Sequence, residues 1–414
     1  MVCSFQEIAE NGGREEGRRI QVISREKLPN SVRLIIDRMR ENGYRADIVG
    51  GCVRDFLLGR TPFDFDITTN ALPEITKALF SDFRVIETGI KHGTVTVLID
   101  GEPYEITTYR IDGEYKDNRR PESVSFSAKI EDDLSRRDFT MNAIAYNPYD
   151  GMTDRFGGME DISASVIRAV GNPYLRFDED ALRILRAIRF SSTLGFDIEK
   201  KTSDAILDRC YLLKNISAER ILVEFKKLIL GKGAIAVINR YISVINEFMP
   251  EINTLTLHAD SFSGLSFSEA CAMMFAASES DGLDAALRRL RADNEAVASA
   301  QAILTAIYNI KGGRALLSDK DLGFFLRDLG PSVMRSAIEI SYRLGLVSED
   351  INAQAKEYLA TPHPYRISDL DIGGNDLISR GYRGKAIGDK LAQLLDKVIS
   401  GEIENKRAAL LSAL

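Results

Sequence analysis

Residues 46–68 crowd a strand, a glycine pair, a helix and a second strand into very little chain, an order far rarer than any of its parts. Ala46-Asp47-Ile48-Val49-Gly50 reads as a short strand. Gly50-Gly51 turns the chain, and residues 53–58 read as a helix opening directly after the turn. Asp64-Phe65-Asp66-Ile67-Thr68 alternates and is β-prone. Side chains two apart on a strand share a face, so Asp64 and Asp66 are expected side by side. Carboxylates that close repel unless a cation sits between them. The sequence has no G-x-x-x-x-G-K-[ST] phosphate loop, and Gly50-Gly51 does not fit the G-x-G-x-x-G dinucleotide pattern.

The first 160 or so residues continue as mixed α and β. Residues 73–80 read as a helix with Pro73 near its first turn. Residues 83–87, 94–99 and 104–109 read as strands, with Asp100-Gly101 as a hairpin turn between the last two. A polar, arginine-rich loop follows over residues 112–127. After about Asp161 nearly everything reads as helix, including 174–194, 198–208, 218–230 and 234–248. With 414 residues the chain is longer than one typical domain. The expected division is a loose leader at 1–25, an α+β head at 26–162, and an all-α remainder at 163–240, 241–345 and 346–414.

Composition narrows the setting. No apolar run is long enough to span a membrane, and residues 1–19 lack the apolar core of a secretory signal. The four cysteines are far apart without a C-x-x-C, which disfavours zinc and disulfides and fits a reducing cytoplasm. Three histidines leave no histidine-rich metal centre. The net charge of −7 does not favour nucleic acid as a whole, but residues 209–232 and 380–390 are locally basic. Either patch fits an RNA contact or a solvated helix face.

The carboxylate pair and the glycine turn suggest phosphate chemistry. Mg²⁺ takes oxygen ligands, usually one or two carboxylates plus substrate phosphates. Nucleotidyl transfer uses two such ions to align an attacking hydroxyl and stabilise departing pyrophosphate. The Gly50-Gly51 turn would let backbone approach a phosphate at the start of the next helix, where Arg54 can add charge-assisted hydrogen bonds.

The run VGGCVRDFLLGRTPFDFDITTNALPE resembles the first motif of bacterial tRNA nucleotidyltransferases, the class II CCA-adding enzymes and their poly(A) polymerase relatives. The resemblance continues in order through TGIKHGTVTV, YEITTYR, DGEYKDNRRPESVSF, EDDLSRRDFTMNAIAYN, RFDEDALRILRAIRF and ISAERILVEF. GNDLISRGYRGKAIGDKL and GEIENKRAALL resemble the family's tail less sharply. The resemblance implies a nucleotidyltransferase head of the DNA polymerase beta superfamily type, then helical neck, body and tail. It implies metal binding by Asp64 and Asp66, and nucleotide contacts from Gly51, Arg54 and Arg137. Asp180, Arg183, Arg186 and Arg189 match the segment that the family uses as a protein template. The implied partners are CTP, ATP and the tRNA 3′ acceptor end, with Mg²⁺ and no organic cofactor. In this family a complete loop at 112–127 goes with adding the terminal A, and here the loop is full length.

The template role has a physical basis. Asp180 and Arg183 are expected on one helix, three apart and so neighbours. A carboxylate only accepts hydrogen bonds and a guanidinium only donates. Cytosine and adenine both offer an amino donor beside a ring acceptor, so one such pair fits both. Uracil and guanine reverse the pattern and would leave buried groups unpaired, at about 1–3 kcal/mol each. Surface ion pairing is the plainer reading of the same residues. A third carboxylate is expected for the chemistry, with Glu105 preferred and Asp138 as the rival. Other readings of the whole chain are a poly(A) or A-only polymerase, a non-catalytic RNA-binding protein on a degenerate head, and a small-molecule nucleotidyltransferase. The intact carboxylates oppose the second, and the long helical body opposes the third.

Overall fold

The computed structural model describes residues 20–113, 124–258, 261–314 and 316–414. The leader's residues 1–19 and the centre of the arginine-rich loop, 114–123, lie outside the described residues, and with them the test of whether that loop is complete. The chain divides into two compact units, with the boundary between Gly233 and Ala234.

The first unit opens with α1 (Asn30–Glu41), which buries Val32, Ile35, Ile36 and Met39, the spacing of one helical stripe. Then come β1 (Ala46–Val49), α2 (Gly51–Leu57), β2 (Asp66–Thr69), α3 (Pro73–Leu79) and β3 (Arg84–Ile86). Next are β4 (Thr94–Ile99), β5 (Glu102–Thr108), β6 (Arg110–Asp112), β7 (Val124–Phe126), α4 (Ile130–Ser135), β8 (Ile144–Asn147) and β9 (Gly151–Asp154). Among the described residues seven strands form one sheet in the order β3-β4-β5-β2-β1-β8-β9. β2 and β5 run parallel, and the other neighbours are antiparallel. β4 alternates as a half-buried strand should, with Val95, Val97 and Ile99 inward. Asp100 and Gly101 both take positive φ, 53° and 86°, which a two-residue hairpin turn requires.

β2 begins at Asp66, so Asp64 lies just before the strand rather than in it. The β1 ladder with β2 ends at Ile48–Ile67, and Gly50 (φ 84°) turns the chain into α2. On the β1 side the residues ahead of Asp66 have no ladder partner. Residues 20–25, placed in the loose leader from sequence, are partly held: the Gln21 N–H donates to the Leu57 carbonyl at 3.0 Å and Ile23 is buried.

The unit continues with α5 (Gly158–Ser163), β10 (Val166–Ile167), α6 (Pro173–Glu179), α7 (Leu182–Leu194), β11 (Asp197–Ile198), α8 (Lys200–Arg209) and α9 (Ala218–Ile229). The single helix expected over 174–194 is two. Asp180 takes extended backbone (φ −136°, ψ 101°), and its carboxylate accepts from the Leu182 N–H at 3.1 Å. Asp is a strong capping residue, so it starts a new helix instead of continuing the old one. The helix expected over 234–248 also divides, into Ala234–Arg240 and Ile242–Asn246.

The second unit is helical. Phe267–Ala277, Asn294–Lys311 and Asp319–Arg343 pack on one another. The last of these breaks at Gly330 (φ 74°, ψ 167°), just before Pro331, as a proline that lacks an N–H and crowds the preceding turn demands. Leu370, Leu377, Leu391, Leu394 and Leu410 build a separate small core at the C-terminal end. Among the described residues no helix is long and apolar enough to cross a membrane.

α7 and α9 pack through a glycine contact. The Ser192 hydroxyl donates to the Leu228 carbonyl at 2.7 Å, and the Gly233 N–H donates to the Ser192 carbonyl at 2.9 Å. A Cβ on Gly231 would stand 2.1 Å from the Ser192 hydroxyl and 2.8 Å from its backbone. Gly231→Ala should therefore destabilise the protein by about 2–3 kcal/mol through overpacking, read as a lower urea midpoint at unchanged slope. An unshifted midpoint would show that the two helices do not depend on this contact.

Candidate active site

The parallel pairing of β2 with β5 sets Asp66 opposite Glu105. Their following neighbours, Ile67 and Ile106, are buried on the other face. Both carboxylates thus leave the sheet on its open side, with Asp64 two residues ahead. Asp66 keeps a solvent-facing edge. Crowding by protein nonetheless pushes its carboxyl above the ordinary range; the Arg137 guanidinium pulls it down, while Asp64 and Glu105 push it up. The sheet therefore gathers negative charge that its own cations do not fully balance. Among the described residues no three His, Cys, Asp or Glu side chains converge closely enough to hold an ion unaided. An open edge of this kind suits an ion that shares its coordination with substrate phosphates.

Thr68 lies on the same face as Asp66, and its hydroxyl reaches Asp133 at 3.4 Å. Asp133 is buried and in turn holds Arg136 at 2.5 Å and Arg137 at 3.3 Å. This chain of contacts brings Arg137 over the carboxylates, where its Nε is buried without a hydrogen-bond partner. A Cβ on Gly50 would lie 2.8 Å from Arg137 Nη1, so Gly50 admits a guanidinium, in addition to any service to a phosphate. Gly51 meets only an ordinary contact, Arg54 Nη2 at 3.7 Å. Arg54 is buried on α2; it donates to Asn142 Oδ1 at 2.8 Å and forks onto Asp55 at 2.8 and 2.9 Å.

α7 supplies three more arginines, each with a different partner, because steps of three residues rotate around a helix. Arg183 donates to Glu179 at 2.9 Å and to the Arg136 carbonyl at 2.8 Å. Arg186 donates to Asp138 at 2.6 and 2.8 Å. Arg189 donates to Glu224 at 2.9 Å, and burial lowers its affinity for a proton. The Phe190 ring has Arg189 at 3.5 Å, Arg54 at 5.1 Å and Arg186 at 5.4 Å from its centroid, within reach of cation–π attraction.

One expectation is corrected by this geometry. Asp180 and Arg183 do not share one helix surface: Asp180 ends α6 and pairs with Arg220 at 3.1 Å, while Arg183 pairs with Glu179. Of the two candidate third carboxylates, Glu105 stands beside Asp66, whereas Asp138 is buried and engaged by Arg186, Asn142 and the Phe139 N–H.

The surroundings of this site match known proteins. Residues 46–168 match the model of the poly A polymerase head domain, and 195–253 that of a probable RNA and SrmB-binding site of polymerase A. The chain is similar to the CCA-adding enzyme of Bacillus cytotoxicus, 37% identical over 393 residues, covering 91% of this chain and 95% of that one. The chain belongs to the CCA-adding enzyme family. The CCA-adding enzyme of Geobacillus stearothermophilus is likewise 37% identical over 385 residues, covering 90% and 93%. Among solved structures, the Bacillus stearothermophilus CCA-adding enzyme in complex with CTP superimposes with a TM-score of 0.78 at 31% identity, covering 93% of this chain and 97% of that one. The Thermotoga maritima CCA-adding enzyme complexed with tRNA-CCA gives 0.70 at 23% identity, covering 94% and 96%, and supports the fold alone.

In this member of the CCA-adding family, sequence reasoning missed Asp133, Asn142, Phe190 and Glu224. None forms a motif by itself. The one available signal was a run of arginines on an otherwise apolar helix, which demands buried acceptors somewhere. Asp138 is the clearest of these. Burial pushes its carboxyl up, but Arg186, and then Asn142, outweigh this and hold it at about 2. Its stabilising share is complete above the unfolded carboxylate range near about 4 and is lost as pH falls toward about 2. Asp138→Ala should lower stability at pH 7 by about 1–3 kcal/mol, because it leaves the part-buried Arg186 guanidinium with a single, longer pairing. The gap from wild type should close below about pH 4, measured by denaturant unfolding across pH. A gap that is the same at pH 3 and pH 7 would exclude this ion pair as its source.

Proposed function

We propose that this chain adds C, C and A, taken from CTP and ATP, to the 3′ end of tRNA without a nucleic-acid template, releasing pyrophosphate. The observation that carries the reading is the register of Asp66 with Glu105, beside Asp64 and beneath Arg137. Asp64 and Asp66 would hold Mg²⁺; burial first, and then the nearby Asp64 and Glu105, push the Asp66 carboxyl up, which a bound cation would offset. Bound Mg²⁺ supplies a lowered hydroxyl pKa and charge stabilisation at the reacting phosphate. Glu105 would complete the carboxylate edge and take part in orienting the 3′-hydroxyl. Gly51, Arg54 and Arg137 would receive the triphosphate, and Arg186 and Arg189 would keep that side positive. The chain would work in the cytoplasm, with head, neck, body and tail dividing near residues 162, 240 and 345.

Asp180 and Arg183 would select the base. Each is paired elsewhere, with Arg220 and Glu179, so base reading requires those pairs to yield to the base edge. A salt bridge exchanged for hydrogen bonds of like strength costs little when both partners stay solvated or paired.

Purified protein given tRNA lacking CCA, Mg²⁺ and single nucleotides should incorporate CTP first and ATP only after it. Failure with CTP but extension with ATP would point instead to a poly(A) or A-only polymerase. Asp66→Asn removes the repulsion without changing shape. A raised folded carboxyl makes stability fall as pH rises through its titration, so this variant should melt higher than wild type in EDTA. It should also lose at least about a thousandfold in incorporation and lose any Mg²⁺-induced rise in melting temperature. Retained activity would remove Asp66 from the metal site. Asp180→Ala should cut the preference for CTP over UTP about tenfold, the loss expected for one unsatisfied neutral group. Single-nucleotide incorporation rates measure this, and an unchanged ratio would reject the base-selecting role.

A further inference from the structure

Phe63 immediately precedes Asp64, and its ring is wholly exposed, at 102% of the reference area. Chain slack does not account for this. Pro62 is buried on one side, and on the other Phe65 packs on Phe56 with ring centroids 5.9 Å apart. The backbone is thus anchored on both flanks of a side chain that water disfavours. Three residues earlier Arg60 is also exposed, and no carboxylate pairs with its guanidinium among the described residues. Arg54, Arg137, Arg183, Arg186 and Arg189, by contrast, all have carboxylate partners.

An open aromatic face beside an unengaged cation is the pair of features that grips single-stranded nucleic acid: bases stack on the ring and the cation follows the backbone. Consecutive Cα atoms are about 3.8 Å apart, so the residue that carries the ring adjoins the carboxylate edge. We propose that Phe63 stacks on a base of the unpaired 3′ end of the acceptor RNA while Arg60 meets a backbone phosphate. Together they hold the acceptor's 3′ end beside Asp64 and Asp66. Phe63 is here a positioning residue. The proposal rests on the RNA 3′-end activity proposed above.

The chain contains no tryptophan, so Phe63→Trp introduces a single fluorescent reporter. Its emission should be quenched by tRNA lacking CCA and left unchanged by CTP alone or by a blunt RNA duplex. Phe63→Ala should raise KM for tRNA about tenfold, the scale of one lost stacking contact, while kcat at saturating tRNA and the melting temperature stay within about twofold and about 1 °C of wild type. Arg60→Gln should lower the salt exponent of tRNA binding by about 0.7, the value for one phosphate of a single strand. Quenching by CTP alone would overturn the proposal by assigning the ring to the incoming nucleotide. So would a blunt duplex that quenches equally, or a Phe63→Ala enzyme with wild-type KM. If wild-type protein itself fails to extend tRNA, the proposed function fails; if it extends normally and the variants behave as wild type, only the stacking role fails.

Discussion

The ion pair between Asp138 and Arg186 ties the connection after α4 to α7. Asp138 sits just after α4, and Arg186 lies midway along α7, so the pair fixes where the arginine helix stands relative to the carboxylate edge. Neither charge could be buried alone, since the desolvation cost of an uncompensated ion exceeds any packing gain. The pair also has an electrostatic reach: Arg186 is among the cations that draw the Asp66 carboxyl down. One contact thus serves the fold and the charge balance of the site.

Around that contact each arginine is paired with an acid of its own. Asp64, Asp66 and Glu105 edge the open face of the sheet, while Arg54, Arg186 and Arg189 surround Phe190. Phe139 meets the same ring edge-on, with centroids 5.9 Å apart, an arrangement favoured by the ring quadrupoles. An aromatic ring among three guanidiniums is a rigid spacer that attracts each cation without neutralising any. The cluster is thus held in place by its own contacts, and preorganised groups need not reorient during reaction.

The acidic net charge is consistent with this arrangement. The cations needed at the site are held inside by Asp55, Asp133, Asp138 and Glu224. Each buried arginine adds an acid to the count, so the total says little about which sign the site presents. Arg60, exposed, has no carboxylate partner among the described residues.

By itself the sequence determined the element types over 46–108, the Asp100-Gly101 hairpin and the switch to helix after the head, and it singled out Asp64, Asp66 and Glu105 as candidates. Those signals are local: strand alternation, turn chemistry and helix periodicity act over a few residues. The tertiary structure alone decided that Asp66 faces Glu105, because a parallel register between strands about forty residues apart has no local code. It alone decided that Asp180 breaks a helix that periodicity would have continued, since the cap competes with tertiary packing. And it alone revealed that Asp138 answers Arg186, because which charge meets which is settled only when distant segments pack together.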